Sequence, residues 1–267
     1  MKQNCQSYGI PSKFLKLANT VVAKWLAELF IRCINEGVFP DSLKISCITP
    51  IPKIRNPQSP SDNRPISVLP TLSKVFEKLL YQIVYYFLTQ NNAIAKRQYG
   101  FRTNHSTDLA ITILYDEYIN NIDKHLITCS LFLDLSKAFD CCDHEILLQK
   151  VYHYGIRETP HKLFCRYLSN RKQCTKLGET KSSYMSITCG VSQGSVLGPL
   201  LFLIYIHDNT QASSFNTTMF ADDINLHMSA SNVRTLQRKV KYEIKILTTG
   251  LGQTNCQLIT AKPVTLY

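Results

Sequence analysis

A fold that mixes helices with strands is predicted by three features of the sequence. Several stretches repeat apolar residues at helical three-and-four spacing, and the run Leu126 to Leu135 is apolar enough for a buried strand. The third is Phe220-Ala221-Asp222-Asp223, two adjacent acids set between the short apolar runs Thr217 to Ala221 and Ile224 to Met228, which reads as a hairpin with carboxylates at its turn. Adjacent like charges repel, so one reading seats a cation between them; the other takes Asp-Asp as an ordinary turn pair.

With 267 residues, 45% of them hydrophobic and 18% charged, the chain has the balance of a globular protein of one or two domains. Thirty Lys and Arg against nineteen Asp and Glu leave a formal charge of +11, which points to a polyanion such as nucleic acid, a merely basic soluble protein being the alternative. The ten cysteines are dispersed, without Cys-x-x-Cys or zinc spacing, and Met1 to Gly9 is too polar for a signal peptide. They read as reduced thiols in an intracellular protein. Val196 to Ile206, the most apolar stretch, is too short to span a bilayer and contains Gly198-Pro199, so no membrane helix is expected.

Ser12 fits the N-cap of a first helix through Phe14, Leu17, Val21, Trp25, Leu29 and Cys33, which Gly37 and Pro40 bring to a stop. A short strand, Ile45 to Lys53, leads into a Pro-, Ser- and Asn-rich loop that returns through Asn63-Arg64-Pro65-Ile66. Lys53 and Arg64, one at each end, suit phosphate as a point charge and a bidentate fork; solvated surface cations are the plainer reading. Ser73 to Leu88 is helical, with Val75, Leu79, Ile83 and Phe87 on one face. Tyr99-Gly100-Phe101-Arg102 is a turn, followed by a helix capped by Ser106 or Thr107 and running through Leu109, Ile113 and Tyr115.

The buried strand Leu126 to Leu135 carries Asp134 near its end, a costly place for an acid without a partner or cation. Asp143 suits the N-cap of a helix bearing Ile146, Leu147, Val151 and Tyr154 up to Gly155, and Thr159-Pro160 opens another to Leu168. Asn170-Arg171-Lys172 turns into short strands near Gln173 to Leu177 and Tyr184 to Cys189. The loop Gly190 to Pro199 has glycines that admit close approach of a ligand or a neighbour, and it leads into an apolar helix to about Ile206. After the acidic hairpin, Asn232 to Thr248 is amphipathic, with Leu236, Val240, Ile244 and Leu247 on its core face and Arg234, Arg238, Lys241 and Lys245 opposite.

Asp134 with Asp222 and Asp223 supply carboxylates from two elements that a sheet can bring together. Phosphoryl transfer onto a hydroxyl uses two Mg²⁺ ions roughly 4 Å apart. Carboxylate oxygens suit those ions, and few protein ligands are needed because water and substrate phosphates complete the shell.

The chain resembles the reverse transcriptase domain of non-LTR (LINE-like) retrotransposons over almost its whole length, motif by motif in order. Gly9 to Lys16 is similar to the segment ahead of the fingers, Ile51-Pro52-Lys53 with Asn63 to Ser67 to the first fingers motif, and Gln98 to Arg102 with Ser106-Thr107 to the next. Phe132 to Asp140 followed by Asp143-His144 resembles the motif of the first catalytic aspartate, and Gly190 to Phe202 the template-gripping motif. Phe220 to Asp223 has the family's usual form of the catalytic hairpin. Ser192 stands where the family usually has proline, and Pro263 where it has threonine.

The resemblance implies an α+β right-hand polymerase, with an N-terminal extension and fingers over 1–120 and, over 121–267, a palm with fingers elements whose antiparallel sheet is backed by helices, ending before a thumb. It implies RNA-templated DNA synthesis from deoxynucleoside triphosphates on a DNA primer, with two Mg²⁺ ions; an obligate protein partner is not inferable from it. Asp134 and Asp222 would hold the metals with Asp223 close by, and the Leu135 carbonyl would add a ligand. Phe139 matches the steric gate against a ribose 2′-OH. Gln193 and Gly194 would meet nucleotide and template, Lys53 and Arg64 the triphosphate, and Lys262 the leaving pyrophosphate. Arg102, Arg171 and Ser195 would contact template or primer. The family works in the nucleus and in a cytoplasmic ribonucleoprotein. A catalytically silent, truncated relic that keeps the fold and binds nucleic acid is the second reading.

Overall fold

The computed structural model describes residues 10–135, 138–207, 213–251 and 258–266. In chain order its elements are α1 (Ser12–Leu17), α2 (Asn19–Glu36), β1 (Ile45–Pro52), β2 (Asn63–Val68), α3 (Thr71–Gln90), α4 (Thr107–Asp123), β3 (Ile127–Leu135), α5 (His144–His153), α6 (Glu158–Leu168), β4 (Lys172–Leu177), β5 (Thr180–Lys181), β6 (Met185–Ser186), α7 (Gly198–Ile206), β7 (Asn216–Phe220), β8 (Asp223–Ala230), α8 (Val233–Leu251) and β9 (Leu258–Leu266). The mixture of helices with largely antiparallel sheets is the expected α+β class. Among the described residues no helix is long and apolar enough to cross a membrane. The chain divides into two compact units, one drawn from 1–87 and 144–201, the other from 88–143 and 202–267.

In the first unit β1 forms an antiparallel hairpin with β2 and pairs in parallel with β4, which carries β5 and β6 on its far side. The core beside this sheet is aromatic. Phe76 stacks on Phe30 at 4.6 Å and on Phe39 at 5.1 Å, and Tyr167 meets Phe39 edge-on at 5.0 Å. Gly37 ends α2 in the left-handed region at φ 65°, and the Val38 N–H closes the turn on the Cys33 carbonyl at 2.9 Å.

Three helical expectations need correction here. Ser12 is the first helical residue after Pro11, not a cap, and the helix is interrupted at Ala18 before it restarts as α2. The stripe Phe14, Leu17, Val21, Trp25 and Leu29 lies outside, Trp25 being 70% exposed, whereas Phe30 and Cys33 are buried. On α3 the inward face is Phe76, Leu80, Val84 and Leu88 together with Ser73 and Glu77, one position on from the expected face; Val75 and Ile83 are exposed. Two polar residues share that buried stripe, and a hydrophobic pattern cannot register them.

The second unit is built on the antiparallel sheet β7-β8-β3-β9, with α4 and α8 packed against it. Leu131, Leu133 and Leu135 of β3 are buried while Phe132 is exposed, the alternation of a sheet covered more fully on one side. A polar ladder runs beneath α4. Tyr118 Oη meets Ser130 Oγ at 2.5 Å, Asn225 Nδ2 donates to Ser130 Oγ at 2.6 Å, and Asn121 Nδ2 donates to Thr128 Oγ1 at 3.2 Å. Polar residues thus turn α4 inward, and its expected apolar members Leu109 and Tyr115 are exposed. Its start is as expected: Ser106 Oγ accepts the Leu109 N–H at 3.1 Å.

Candidate active site

The acidic hairpin forms where the two apolar runs predict it. Phe220 pairs with Asp223, so the loop between β7 and β8 is only Ala221-Asp222. Asp222 sits in the loop and is half-buried; Asp223 opens β8 and is exposed. Ala221 takes φ 57°, the left-handed region, at a cost of about 1–2 kcal/mol for a residue with a Cβ. A short segment braces the outer side of β7: the Met219 N–H donates to the Arg97 carbonyl at 2.9 Å and the Tyr99 N–H to the Met219 carbonyl at 2.8 Å.

Along the other side of β8 the register sets Asp134 of β3 directly opposite Asp223. The pairing of β3 with β9 shifts between Asp134 and Leu135, an irregularity at the end of the strand that carries the acid. Leu135 is buried, and Lys262 stands opposite Phe132 on β9. The side chains of Asp134 and Lys262 lie outside the described residues; their backbone register is what the structure contributes. Among the described side chains no three metal ligands converge. The residue types nevertheless suit a hard divalent cation, because the backbone register places Asp134 of β3 opposite Asp223 of β8, with Asp222 in the adjoining β7–β8 loop, at one end of one sheet.

Phe139 lies four residues beyond Leu135 and is half-buried. Its ring stacks on Phe202 at 4.6 Å and meets Phe101 edge-on at 5.9 Å, so two further rings fix its orientation.

The remaining candidates belong to the first unit, Arg102 excepted. Lys53 is exposed and its Nζ donates to the Ser61 carbonyl at 3.0 Å, while Arg64 is exposed on β2 opposite Ile51. The Gln193 carbonyl accepts the Ser67 N–H at 2.6 Å, and Gly194 has φ 108° with room for no Cβ, which would stand 2.7 Å from the Ser67 carbonyl oxygen. Close approach to β2 therefore explains this glycine.

The three residues expected at template or primer each make contacts within the chain. Ser195 is buried; its Oγ donates to the Ser192 carbonyl at 2.8 Å and accepts the Gly198 N–H at 2.9 Å where α7 begins. Arg171 is 2% exposed, donates to the Tyr167 carbonyl at 3.2 Å and lies over the Tyr167 ring at 4.7 Å. Arg102 Nη1 donates to the carbonyls of Ala95 at 3.0 Å and Gln98 at 3.1 Å, tying its own loop together. Basic and polar residues in motif-rich loops read as ligand contacts, but their partners here are backbone carbonyls that local sequence cannot reveal.

Gln98 and Glu77 were missed. Gln98 opens the motif that runs to Arg102, and Glu77 lies off the helical face that Val75, Leu79, Ile83 and Phe87 define in the sequence. Both are buried, at 1% and 0% exposure.

Residues 51–262 match the family of reverse transcriptases (RNA-dependent DNA polymerases). Among similar proteins is the probable RNA-directed DNA polymerase from transposon X-element of Drosophila melanogaster, 34% identical over 75% of this chain and 23% of its own. That from transposon BS of the same organism is 29% identical over 78% of this chain and 24% of its own. The chain thus spans about a quarter of the length of these curated relatives. In fold it is similar to apo telomerase from Candida tropicalis truncated from its C-terminal domain, with a TM-score of 0.57 over 91% of this chain and 55% of the other, at 14% identity. With the acidic hairpin, the opposed aspartate and the ordered motifs on one sheet-bearing scaffold, the chain belongs to the reverse transcriptase family.

Proposed function

We propose that this chain carries the fingers and palm of an RNA-directed DNA polymerase of a non-LTR retrotransposon, extending a DNA primer on an RNA template from deoxynucleoside triphosphates. The observation that carries the reading is the register of Asp134 opposite Asp223, with Asp222 in the adjoining loop, inside a chain of this family. The second unit, with its four-stranded antiparallel sheet, takes the part of the palm, and the first that of the fingers and N-terminal extension. Each unit draws on two stretches of chain, whereas the division read from sequence is a single boundary at 120/121.

Reverse transcriptases work with a divalent metal, and here the ion is Mg²⁺, as the all-oxygen donor set favours. Two such ions, when bound, supply the positive charge that acidifies the primer 3′-hydroxyl and steadies the pyrophosphate. Asp134 and Asp222 hold them, with Asp223 beside and the Leu135 carbonyl as a further ligand. The Phe139 ring, braced by Phe101 and Phe202, excludes a ribose 2′-OH. Lys53 and Arg64 neutralise phosphate, Gln193 and Gly194 meet nucleotide and template, and Lys262 donates a proton to the leaving group. The family's work on nucleic acid also supports a setting in the nucleus and in a cytoplasmic ribonucleoprotein.

The test is primer extension on an RNA template with Mg²⁺, comparing the parent with Asp222→Ala. Extension by the parent and none by the variant is expected. If neither protein extends the primer while both bind the template, the chain is a silent nucleic-acid-binding fold and the polymerase reading fails.

A further inference from the structure

Gln98 is 1% exposed, and its whole amide is used on the backbone beside the two acids. Oε1 accepts the N–H of Gly100 at 2.7 Å and that of Ala221 at 3.0 Å, while Nε2 donates to the Ala221 carbonyl at 3.3 Å. The opposite amide orientation would press Nε2 against two N–H donors, so the hydrogen bonds themselves select this one. Both polar groups of Ala221 are thereby held by one side chain. Ala221 directly precedes Asp222 and is the residue in the left-handed region, so the conformation that needs support is the one being gripped.

The segment bearing Gln98 is itself fixed. Arg102 holds the Gln98 carbonyl, and the backbone of Arg97 and Tyr99 is bonded to Met219 on β7. Gly100 lies so close to the loop that a Cβ there would stand 2.1 Å from the Ala221 nitrogen. Only a glycine lets this segment approach so closely.

We propose that Gln98 is a positioning residue for the hairpin acids: by gripping the N–H and C=O of Ala221 it fixes the loop conformation from which Asp222 is presented. This deepens the polymerase reading and rests on it for its catalytic consequence, though not for its structural one. Gln98 touches no reacting atom; it acts through Ala221. Gly100 supplies the clearance and Arg102 the anchorage.

The experiment compares the full chain with Gln98→Met, which keeps the length and loses every hydrogen bond, and with Gln98→Glu, which keeps both acceptor contacts and loses the donor to the Ala221 carbonyl. Three quantities are read: hydrogen exchange of the peptide spanning Phe220 to Asp223, thermal melting, and kcat and KM for primer extension. In Gln98→Met the hairpin amides exchange roughly tenfold faster, in keeping with the loss of a buried hydrogen bond. The kcat falls by about 10²-fold, as for a small misplacement of a reacting group, while KM for the nucleotide and affinity for primer–template stay at parental values. Gln98→Glu lies between the two. Unchanged hairpin exchange in a folded variant, or a fall in kcat that only follows the fraction of folded protein in the melt, would overturn the proposal. Should Gln98→Met fail to fold, the same readings on Gln98→Glu decide. A parent that extends no primer defeats the polymerase reading, and hairpin exchange alone then judges the brace.

Discussion

Glu77, on α3, accepts the Val196 N–H at 2.6 Å and the Leu197 N–H at 3.4 Å just ahead of α7, so a buried carboxylate satisfies backbone donors more than a hundred residues away. Its other oxygen accepts the hydroxyls of Tyr167 at 3.2 Å and Ser73 at 3.3 Å. Burial pushes its carboxyl up, opposed by the two N–H groups and by the nearby Arg171 charge. Burial likewise pushes the Tyr167 phenol up. The loop that contains Gln193 and Gly194 is held at one end by this contact and at the other by β2.

Glu77→Ala removes the acceptor and leaves buried donors and the Arg171 charge uncompensated. A loss of about 3–5 kcal/mol is expected, read as a lower midpoint in urea unfolding. Tyr167→Phe, which removes only one donor, should cost clearly less.

His227, fully buried in β8, gives the unit a pH dependence. Its Nε2 is 2.9 Å from Glu117 Oε2 without the alignment of a hydrogen bond, and Arg97 pairs with the same carboxylate at 2.5 Å. Tyr118 meets the ring edge-on, and Asn225 Oδ1 lies 3.3 Å from Nδ1. Burial holds the imidazole below its usual 6.5, with Glu117 raising it and Arg97 lowering it. Above about pH 6.5 the ring is neutral whether folded or unfolded; below it, the unfolded chain takes up a proton that the folded chain resists. This contribution is therefore complete above about 6.5 and lost as pH falls toward the lowered folded value. Urea midpoints between about pH 7.5 and 5.5 should fall more steeply for the parent than for His227→Gln.

Phe139→Val keeps an apolar residue and removes the ring. Discrimination between deoxyribonucleotides and ribonucleotides, read as a ratio of kcat/KM values, should drop by roughly tenfold or more. A ratio that stays at the parental value would leave the ring with a packing role against Phe101 and Phe202 alone.

Ser106→Ala removes the cap that accepts the Leu109 N–H. The expected cost is about 1 kcal/mol, a fall in melting temperature of roughly 2–4 °C in a chain of this size.

Much of this architecture is legible in the sequence because it is local. The hairpin, the strand that ends beyond Asp134, the Ser106 cap and the Gly37 stop each follow from spacing or turn chemistry within a few residues. What escapes is what depends on distant partners. The inward face of α3 includes Ser73 and Glu77, whose justification is the α7 entry and Tyr167. Arg171, Ser195 and Arg102 read as surface contacts until their backbone acceptors are in view. The interruption at Ala18 carries no proline or glycine to announce it. The brace by Gln98 needs a contact between residues 98 and 221, and nothing in either neighbourhood encodes it.

The outward stripe of α2 also determines how the protein can be watched. Trp25 is the only tryptophan in the sequence and stands on that stripe, 70% exposed. Its indole meets water in the folded chain much as in the unfolded one, so tryptophan emission will be nearly blind to loss of either core. Unfolding is better followed through helical circular dichroism or the fourteen tyrosines. A blue shift of that single emitter, in a chain still folded, reports instead that something has come to lie along α2.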